Sequence, residues 1–317
     1  MPADNRRFAG IDVGGTKCLG VVWQNGRIVR DVRRDTPQGA DDMISTLVEI
    51  VRELGDVESV GVGVPGLVTR EGVLRAAPNL VGVSELAVGP QLREIFQCDV
   101  AVDNDATCAA VAEWSVGAAR GVDDVVVVTL GTGIGGGLVS GGRLVRGTNG
   151  FAGEIGHMVV ESTGPQCVCG QRGCWERYAS GNGLGYLGRL AAEQGSAKRV
   201  QELAGSAEQI RGEHIRQAAL EGDNDALVIV DSFARWVALG LTNLTNLLDP
   251  AMIVIGGGLA SSGNVFLEPM RRWFEELLYS PQLRPHPQLV MATFAEQAGA
   301  VGAALLPKFA HISDTSC

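Results

Sequence analysis

"RFAGIDVGGTKCLGVVWQNGRIVRDVRRD", Arg7–Asp35, carries the pattern on which the fold turns. A short apolar run ends near Asp12, a Gly14-Gly15 turn follows, and a second apolar run starts at Cys18. Asn25-Gly26 separates that run from a third, the two-residue signal of a β-hairpin. Three successive strands are therefore expected before the first helix. That helix is predicted over 41–54, where Met43, Ile44, Leu47, Ile50, Val51 and Leu54 recur at helical spacing. A buried strand "SVGVGVP", a helix near Pro90–Gln97, a strand "CDVAVD" and a helix "ATCAAVAEWSVG" complete a βββαβαβα order.

The pattern restarts at Asp124. "DVVVVTLGTGIGGGLVSGGRLV" again gives strand, glycine turn and strands. After about Ser180 the chain reads as helical through 183–194, 214–222 and 225–248. "AMIVIGGG" is a strand, "VFLEPMRRWFEELL" a helix, "QLVMATF" a strand and "QAGAVGAALLPKFA" a final helix. Two such starts in 317 residues predict a duplicated α/β fold with a cleft between its halves.

Composition narrows the function. Net charge is −10, which argues against nucleic acid or an anionic membrane as the main partner. No apolar run reads as long enough to span a bilayer, and no signal peptide is apparent, so a reducing cytoplasm is the expected compartment. Clustered cysteines there bind metal more often than they form disulfides. The scattered Cys18, Cys98, Cys108 and Cys317 read as small buried hydrophobes or a tail thiol. The 44 glycines, without a collagen-like period, point to tight turns close to a ligand.

Three glycine turns stand out. In "GIDVGGTK" the amides of Gly14 and Gly15 can cradle a phosphate, Thr16 and Lys17 add a hydroxyl and a cation, and Asp12 can hold Mg²⁺ through water. An ordinary glycine hairpin accounts for the same residues. "TLGTGIGGG" contains GxGxxG at Gly131, Gly133 and Gly136, but a strand rather than a helix follows, so a dinucleotide fingerprint is rejected. A second phosphate clamp, with Thr132 and Gly133, fits better. In "VIGGGLA", Gly256, Gly257 and Gly258 would let the backbone approach an adenine or ribose; a plain strand-to-helix turn fits as well.

"VDNDATCAAVAEW" places Asp103, Asn104 and Asp105 at a helix start. N-capping alone explains such a triplet. Beside a phosphate clamp, a carboxylate there would also serve as general base for an attacking hydroxyl. "GFAGEIGHMVVE" brings Glu154 and His157, ten residues ahead of "CVCGQRGCWERYASG". His157, Cys167, Cys169 and Cys174 together supply a complete tetrahedral set for structural Zn²⁺.

With these residues in order, the chain resembles the ROK family (repressors, open reading frames, kinases), and within it the bacterial sugar kinases. The resemblance is carried by "DVGGTK", "GVGVPG", "DNDA", "GTGIGGG", "GEIGH", "CVCGQRGCWE" and "IVIGGG". It implies two actin/ribonuclease-H-like domains: a small one over 1–117 closed by a C-terminal helix at 297–317, and a large one over 118–296 with the zinc loop. It further implies Asp105 as catalytic base, and Gly66, Asn79, Asn104, Glu154, His157 and Glu176 around the sugar. Thr16, Lys17, Thr132 and Gly133 are implied phosphate contacts, Gly257 lies near the adenosine, and the four Cys/His residues hold zinc. Many family members have Glu-Asn-Asp-Ala-Asn where this chain has Asp103-Asn104-Asp105-Ala106-Thr107, which weakens any inference about which sugar is bound.

The expected activity is ATP-dependent phosphorylation of the 6-hydroxyl of glucose, with Mg²⁺ and a homodimer or homotetramer. The first strand begins near Phe8, which leaves no room for the family's N-terminal DNA-binding region. Alternatives are another hexose (fructose, N-acetylmannosamine, N-acetylglucosamine), polyphosphate as donor, a sugar-sensing regulator, or an actin- or Hsp70-like ATPase. The last leaves the Cys/His cluster unexplained.

Overall fold

The computed structural model describes residues 5–77, 80, 82–259 and 263–310. Strands β1 (Phe8–Val13), β2 (Lys17–Gln24) and β3 (Arg27–Asp35) come first, then α1 (Ala40–Leu54) and β4 (Ser59–Val64). Three short strands follow: β5 (Leu67–Val68), β6 (Leu74–Ala76) and β7 (Ser84–Leu86). Next are α2 (Val88–Phe96), β8 (Asp99–Asn104) and α3 (Asp105–Ser115). The second run opens with β9 (Val125–Leu130), β10 (Ile134–Ser140) and β11 (Arg143–Leu144). Helices α4 (Glu176–Ala179), α5 (Gly181–Glu193), α6 (Lys198–Ala204), α7 (Gly212–Leu220) and α8 (Asn224–Leu248) follow. The chain then passes through β12 (Met252–Gly256), α9 (Asn264–Leu277), β13 (Gln288–Met291), α10 (Ala298–Leu305) and α11 (Pro307–Ala310).

The duplication expected from the two glycine-turn starts is present in the topology. One sheet has the order β3-β2-β1-β4-β8 and the other β11-β10-β9-β12-β13. Each puts its first strand in the centre, the next two on one side and the two later ones on the other. In the first sheet, β1 pairs antiparallel with β2 and parallel with β4, and β4 pairs parallel with β8. Asn25 and Gly26 form the tight β2–β3 turn with positive φ of 52° and 77°, the geometry that selects Asn-Gly. The three-stranded β5-β6-β7 sheet was not foreseen, because strands of two or three residues carry no readable period. Helix α6 was missed too; its N-cap is Ala197 in the left-handed region with no side-chain cap.

By contacts the chain divides into two compact units. The first comprises Met1–Val127, Gly136–Gly153 and Glu296–Cys317; the second comprises Val128–Gly135 and Glu154–Ala295. This differs from a boundary at 117, because Gly136–Gly153 goes with the first unit. The reason is local: Gly137 of β10 lies so close to α3 that a Cβ there would overlap the Ala110 side chain.

The first unit is built around α10, all eight residues of which are buried. It packs on α3, β1 and β4 at backbone distance. A Cβ on Gly61 of β4 would overlap the Ala303 carbonyl, and one on Gly302 would overlap the Cys108 carbonyl of α3. The core of the second unit is α8, which packs against α9, α5 and α7. By length and composition alone α8 could cross a membrane, at a mean hydropathy of 1.4, contrary to the sequence expectation. Its Phe233, Val237, Leu241 and Leu244 are buried inside the unit, which identifies it as a core helix. Trp175, fully buried, lies flat against Gly240 of α8, where a side chain would enter its ring.

Gly61→Ala should therefore destabilise the first unit by about 3 kcal/mol, the upper end for overpacking. The measurement is a urea titration; an unchanged midpoint would mean that α10 can move away without cost.

Candidate active site

In the first unit the central strand β1 ends in a partly buried acid. Asp12 lies over Gly299 in the first turn of α10, and only a residue without a Cβ leaves room for its carboxyl. Burial, and then the nearby negative charge of Asp105, push Asp12 up to about 7. The turn beyond it is braced from β3's end: Thr36 donates its hydroxyl to the Gly14 carbonyl (2.6 Å) and its N–H to the Thr16 carbonyl (3.0 Å). Gly14 N–H closes the turn on the Lys17 carbonyl at 2.9 Å. Gly15, Thr16 and Lys17 are left exposed.

Asp105 opens α3. Its side chain accepts from Ala106 N–H at 2.8 Å, and burial raises its pKa against that bond. Asn104 is the N-cap: its side-chain oxygen accepts from Ala106 N–H (2.8 Å) and Thr107 N–H (3.3 Å). Its amide nitrogen donates to the Gly66 carbonyl at 3.1 Å. Capping and a site role thus coexist in one residue. Gly66 has φ of 109°, and a Cβ there would overlap the Ala76 carbonyl at the end of β6, so only glycine fits this close approach.

Beneath this loop sits an ion pair that the sequence did not reveal. Asp103, 1% exposed, meets Arg146, 14% exposed, with Nε to Oδ2 at 2.6 Å. The N–H is not aligned with the oxygen, so the contact is electrostatic more than a directed hydrogen bond. Asp103 also accepts from Asn104 N–H at 2.8 Å. Burial still pushes Asp103 up to about 6, against Arg146 and that N–H. Arg146 follows the β10–β11 hairpin, 43 residues away in sequence, and carries no local pattern that marks it.

The second unit holds the other glycine turns. Gly131 N–H reaches the Gly133 carbonyl at 3.0 Å, and Gly181 N–H at the start of α5 reaches the Gly131 carbonyl at 2.8 Å. The turn that carries Thr132 is thereby pinned to a helix start. Gly257, with φ of 84°, approaches the end of β9 so closely that a Cβ would overlap the Leu130 carbonyl. Gly256 ends β12 beside it. The Gly131–Gly133 turn and the Gly256-Gly257 turn therefore meet at one strand end.

His157, Cys167, Cys169 and Cys174 each place a ligand atom within 4.8 Å of the others. The loop is preshaped by its backbone. Cys167 N–H donates to the Gln171 carbonyl (2.8 Å), and Gly173 N–H to Pro165 (2.9 Å). Trp175 N–H donates to Met158 (2.8 Å). Burial raises Cys167 and Cys174. It opposes Cys169 as well, but the Gln171 N–H and the other two thiols donate to that sulfur and bring it below its ordinary value. His157 presents Nδ1 toward Cys167 Sγ (3.7 Å) and Nε2 toward Glu154 (3.9 Å). Glu176, first residue of α4, accepts from Cys167 Sγ at 3.2 Å and lies against Gly133, where a Cβ would come within 2.7 Å of its carboxylate. The donor set of three sulfurs and one imidazole suits a tetrahedral soft or borderline cation.

Within the first unit, then, Asp12 and Asp105 interact, and Gly66 and Asn104 touch. Within the second, Gly133, Glu154, His157 and Glu176 cluster with the cysteine loop. Asn79 lies outside the described residues. Sequence reasoning missed Thr36, Arg146 and Gly299. A glycine ahead of an alanine-rich terminal helix was the only signal for the last.

Comparison with known proteins accords with these features. The ROK family model matches residues 8–309. A glucokinase of Thermotoga maritima is 35% identical over 95% of this chain and 97% of its own length. A glucokinase of Streptomyces coelicolor is 36% identical over 94% and 96%. The crystal structure of a ROK family glucokinase from Streptomyces griseus in complex with glucose and AMPPNP superposes with a TM-score of 0.85 at 37% identity, covering 95% of this chain and 98% of that one. On the strength of a family match that runs from β1 to α11, this protein belongs to the ROK family.

Proposed function

We propose that the protein is an ATP-dependent glucokinase that phosphorylates the 6-hydroxyl of glucose. The observation that carries the proposal is Asp105: a partly buried carboxylate at a helix start, electrostatically coupled to Asp12 at the end of the central strand. Two relatives at 35–36% identity over nearly the whole chain are glucokinases, and the solved neighbour at 37% is a glucokinase in complex with glucose and AMPPNP, which supports the same acceptor and donor.

Asp105 takes the proton from the sugar hydroxyl as its oxygen attacks the γ-phosphorus. The bond to the departing ADP oxygen breaks on the opposite side. A carboxylate whose pKa is raised is the better base for this, since proton affinity and the ionised fraction at neutral pH both count. By resemblance to the family, Gly66, Asn104, Glu154, His157 and Glu176 are the hydroxyl ligands of the sugar. A site built to bond a given hydroxyl rejects sugars that lack it. The amides of Gly14 and Gly15 with Thr16 and Lys17, and the Thr132-Gly133 turn, hold phosphate oxygens; Gly256 and Gly257 admit the adenosine. Asp12 would hold the Mg²⁺ carried with ATP, an ion that would neutralise phosphate charge; two neighbouring acids, one pushed up to about 7, are the kind of site a divalent cation relieves. The Cys/His cluster suits Zn²⁺ with all four positions filled by protein, which makes it structural. It would fix His157 through Nδ1 and leave Nε2 for the sugar.

Asp105→Ala should retain glucose binding by calorimetry and lose turnover by about 10³-fold in a coupled ADP assay. Near-normal turnover would refute the assignment of the base.

Protons should compete with Mg²⁺ at Asp12. A carboxyl raised to about 7 is largely ionised at pH 8 and largely protonated at pH 6. The Mg²⁺ concentration for half-maximal rate should therefore rise about tenfold from pH 8 to pH 6. In Asp12→Asn that dependence should flatten. A pH-independent Mg²⁺ requirement in the unaltered protein would count against the role.

Cys169→Ser should reduce zinc content, measured by atomic absorption, and raise the glucose KM by about tenfold with a smaller change in kcat. Loss of zinc with unchanged KM would separate the metal from the sugar site.

A further inference from the structure

A cavity lies wholly within the first unit, away from the glycine turns. It encloses about 300 Å³ and is lined by Arg70, Arg93 and Arg146, with Asp99, Leu306 and Pro307 among the remaining walls. Its floor is β8, the edge strand of its sheet. Three guanidinium groups converging on one hollow are not a background of composition, for the chain as a whole carries ten more acids than bases.

The three are anchored so that their donors stay available. Arg70 places Nε and Nη2 on the Gly147 carbonyl at 2.9 and 2.8 Å. Arg93 places Nε on the Val100 carbonyl at 3.1 Å and its two terminal nitrogens near the Glu71 carbonyl at 3.3–3.4 Å. These acceptors are main-chain and carry no charge. The bonds fix the planes of the guanidiniums without neutralising them, and leave three of the five donors of Arg70 and two of those of Arg93. Arg146 is neutralised by Asp103 through Nε and has its Nη2 at 3.4 Å from the Val102 carbonyl. The acid in the wall of the hollow is Asp99, and Asp103 is paired with Arg146 beneath it.

We propose that this cavity is a binding site for a small phosphate monoester, with Arg70 and Arg93 as its main ligands and Arg146 at its inner end. Arg70 keeps both N–H groups of Nη1 and one of Nη2, a fork that matches two oxygens of the tetrahedral dianion, and Arg93 adds single N–H donors. The volume falls at the lower end of small-molecule pockets, about 300–1,000 Å³, so the site has room for a phosphate and a small organic body against Leu306 and Pro307. An occupant would share Arg146 with Asp103, the residue next to Asn104 and two before Asp105. An effect on turnover rests on the kinase assignment above; the binding itself does not.

The test is calorimetry on the whole protein with two probes, inorganic phosphate and glycerol 3-phosphate, in the absence of ATP and sugar. Arg70→Met and Arg93→Met should each weaken binding at least tenfold, with circular dichroism and thermal melting as checks on folding. Arg93→Lys should keep part of the affinity. Lys17→Met, in the glycine turn at the end of β1, separates the two phosphate-binding regions and should leave it unchanged. If phosphate alone binds as well as glycerol 3-phosphate, the occupant is the free anion and the monoester assignment is overturned. If glycerol 3-phosphate binds more tightly, it is a monoester as proposed. Loss of binding in Lys17→Met with retention in both arginine variants, or no binding by either probe at millimolar concentration, would overturn the proposal.

Discussion

The first unit depends on how closely α10 can approach β1, β4 and α3. A helix packed on a sheet ordinarily keeps its backbone at side-chain distance. Here Gly61 and Gly302 remove the intervening atoms, and the carbonyls of Ala303 and Cys108 occupy the space where Cβ atoms would be. That approach sets the first turn of α10 against Asp12, where Gly299 admits the carboxyl, and it seats α3 so that Asp105 comes within electrostatic reach of Asp12. The electrostatics of the site therefore follow from packing. Both acids are raised mainly because a tightly closed interior surrounds them, and their mutual repulsion comes second for Asp12.

The local parts of this arrangement were legible in the sequence and the distant parts were not. Asn25-Gly26, the helical period of α1 and the strand-turn-strand starts at β1 and β9 each lie within a few residues and have a mechanism that acts over that span. The same holds for the cysteine loop, where the spacing of Cys167, Cys169 and Cys174 nearly defines the cluster and only His157 must be found elsewhere. Arg146 is different. Its partner Asp103 is on a strand that neither precedes nor follows it locally, and a single arginine after a hairpin reads as a surface cation. Thr36 and Gly299 act across the fold in the same way. The strands β5, β6 and β7 are defined by pairing with one another rather than by pattern, so nothing local announced them.

The two halves repeat one strand order yet have been put to different chemical use. The first offers an acid at the end of its leading strand; at the corresponding place the second offers Leu130, a threonine and glycines. The second instead contains the excursion between β11 and α4 that bears His157 and the cysteines. There the backbone bonds of the loop and the burial of Trp175 against Gly240 already fix the shape, so a bound cation would have little chain entropy to remove and would mainly displace the thiol protons.

The guanidiniums of Arg93 and Arg146 have one more consequence. An edge strand exposes a row of carbonyl and amide groups that another chain's strand can pair with, which is a common route to aggregation. β8 is such a strand, four of its six residues are buried, and its Val100 and Val102 carbonyls are those that Arg93 and Arg146 cover. Bulky cations seated on those acceptors make the outer side of the sheet a poor template for strand addition, so the same side chains that shape the hollow also keep copies of the protein from joining edge to edge.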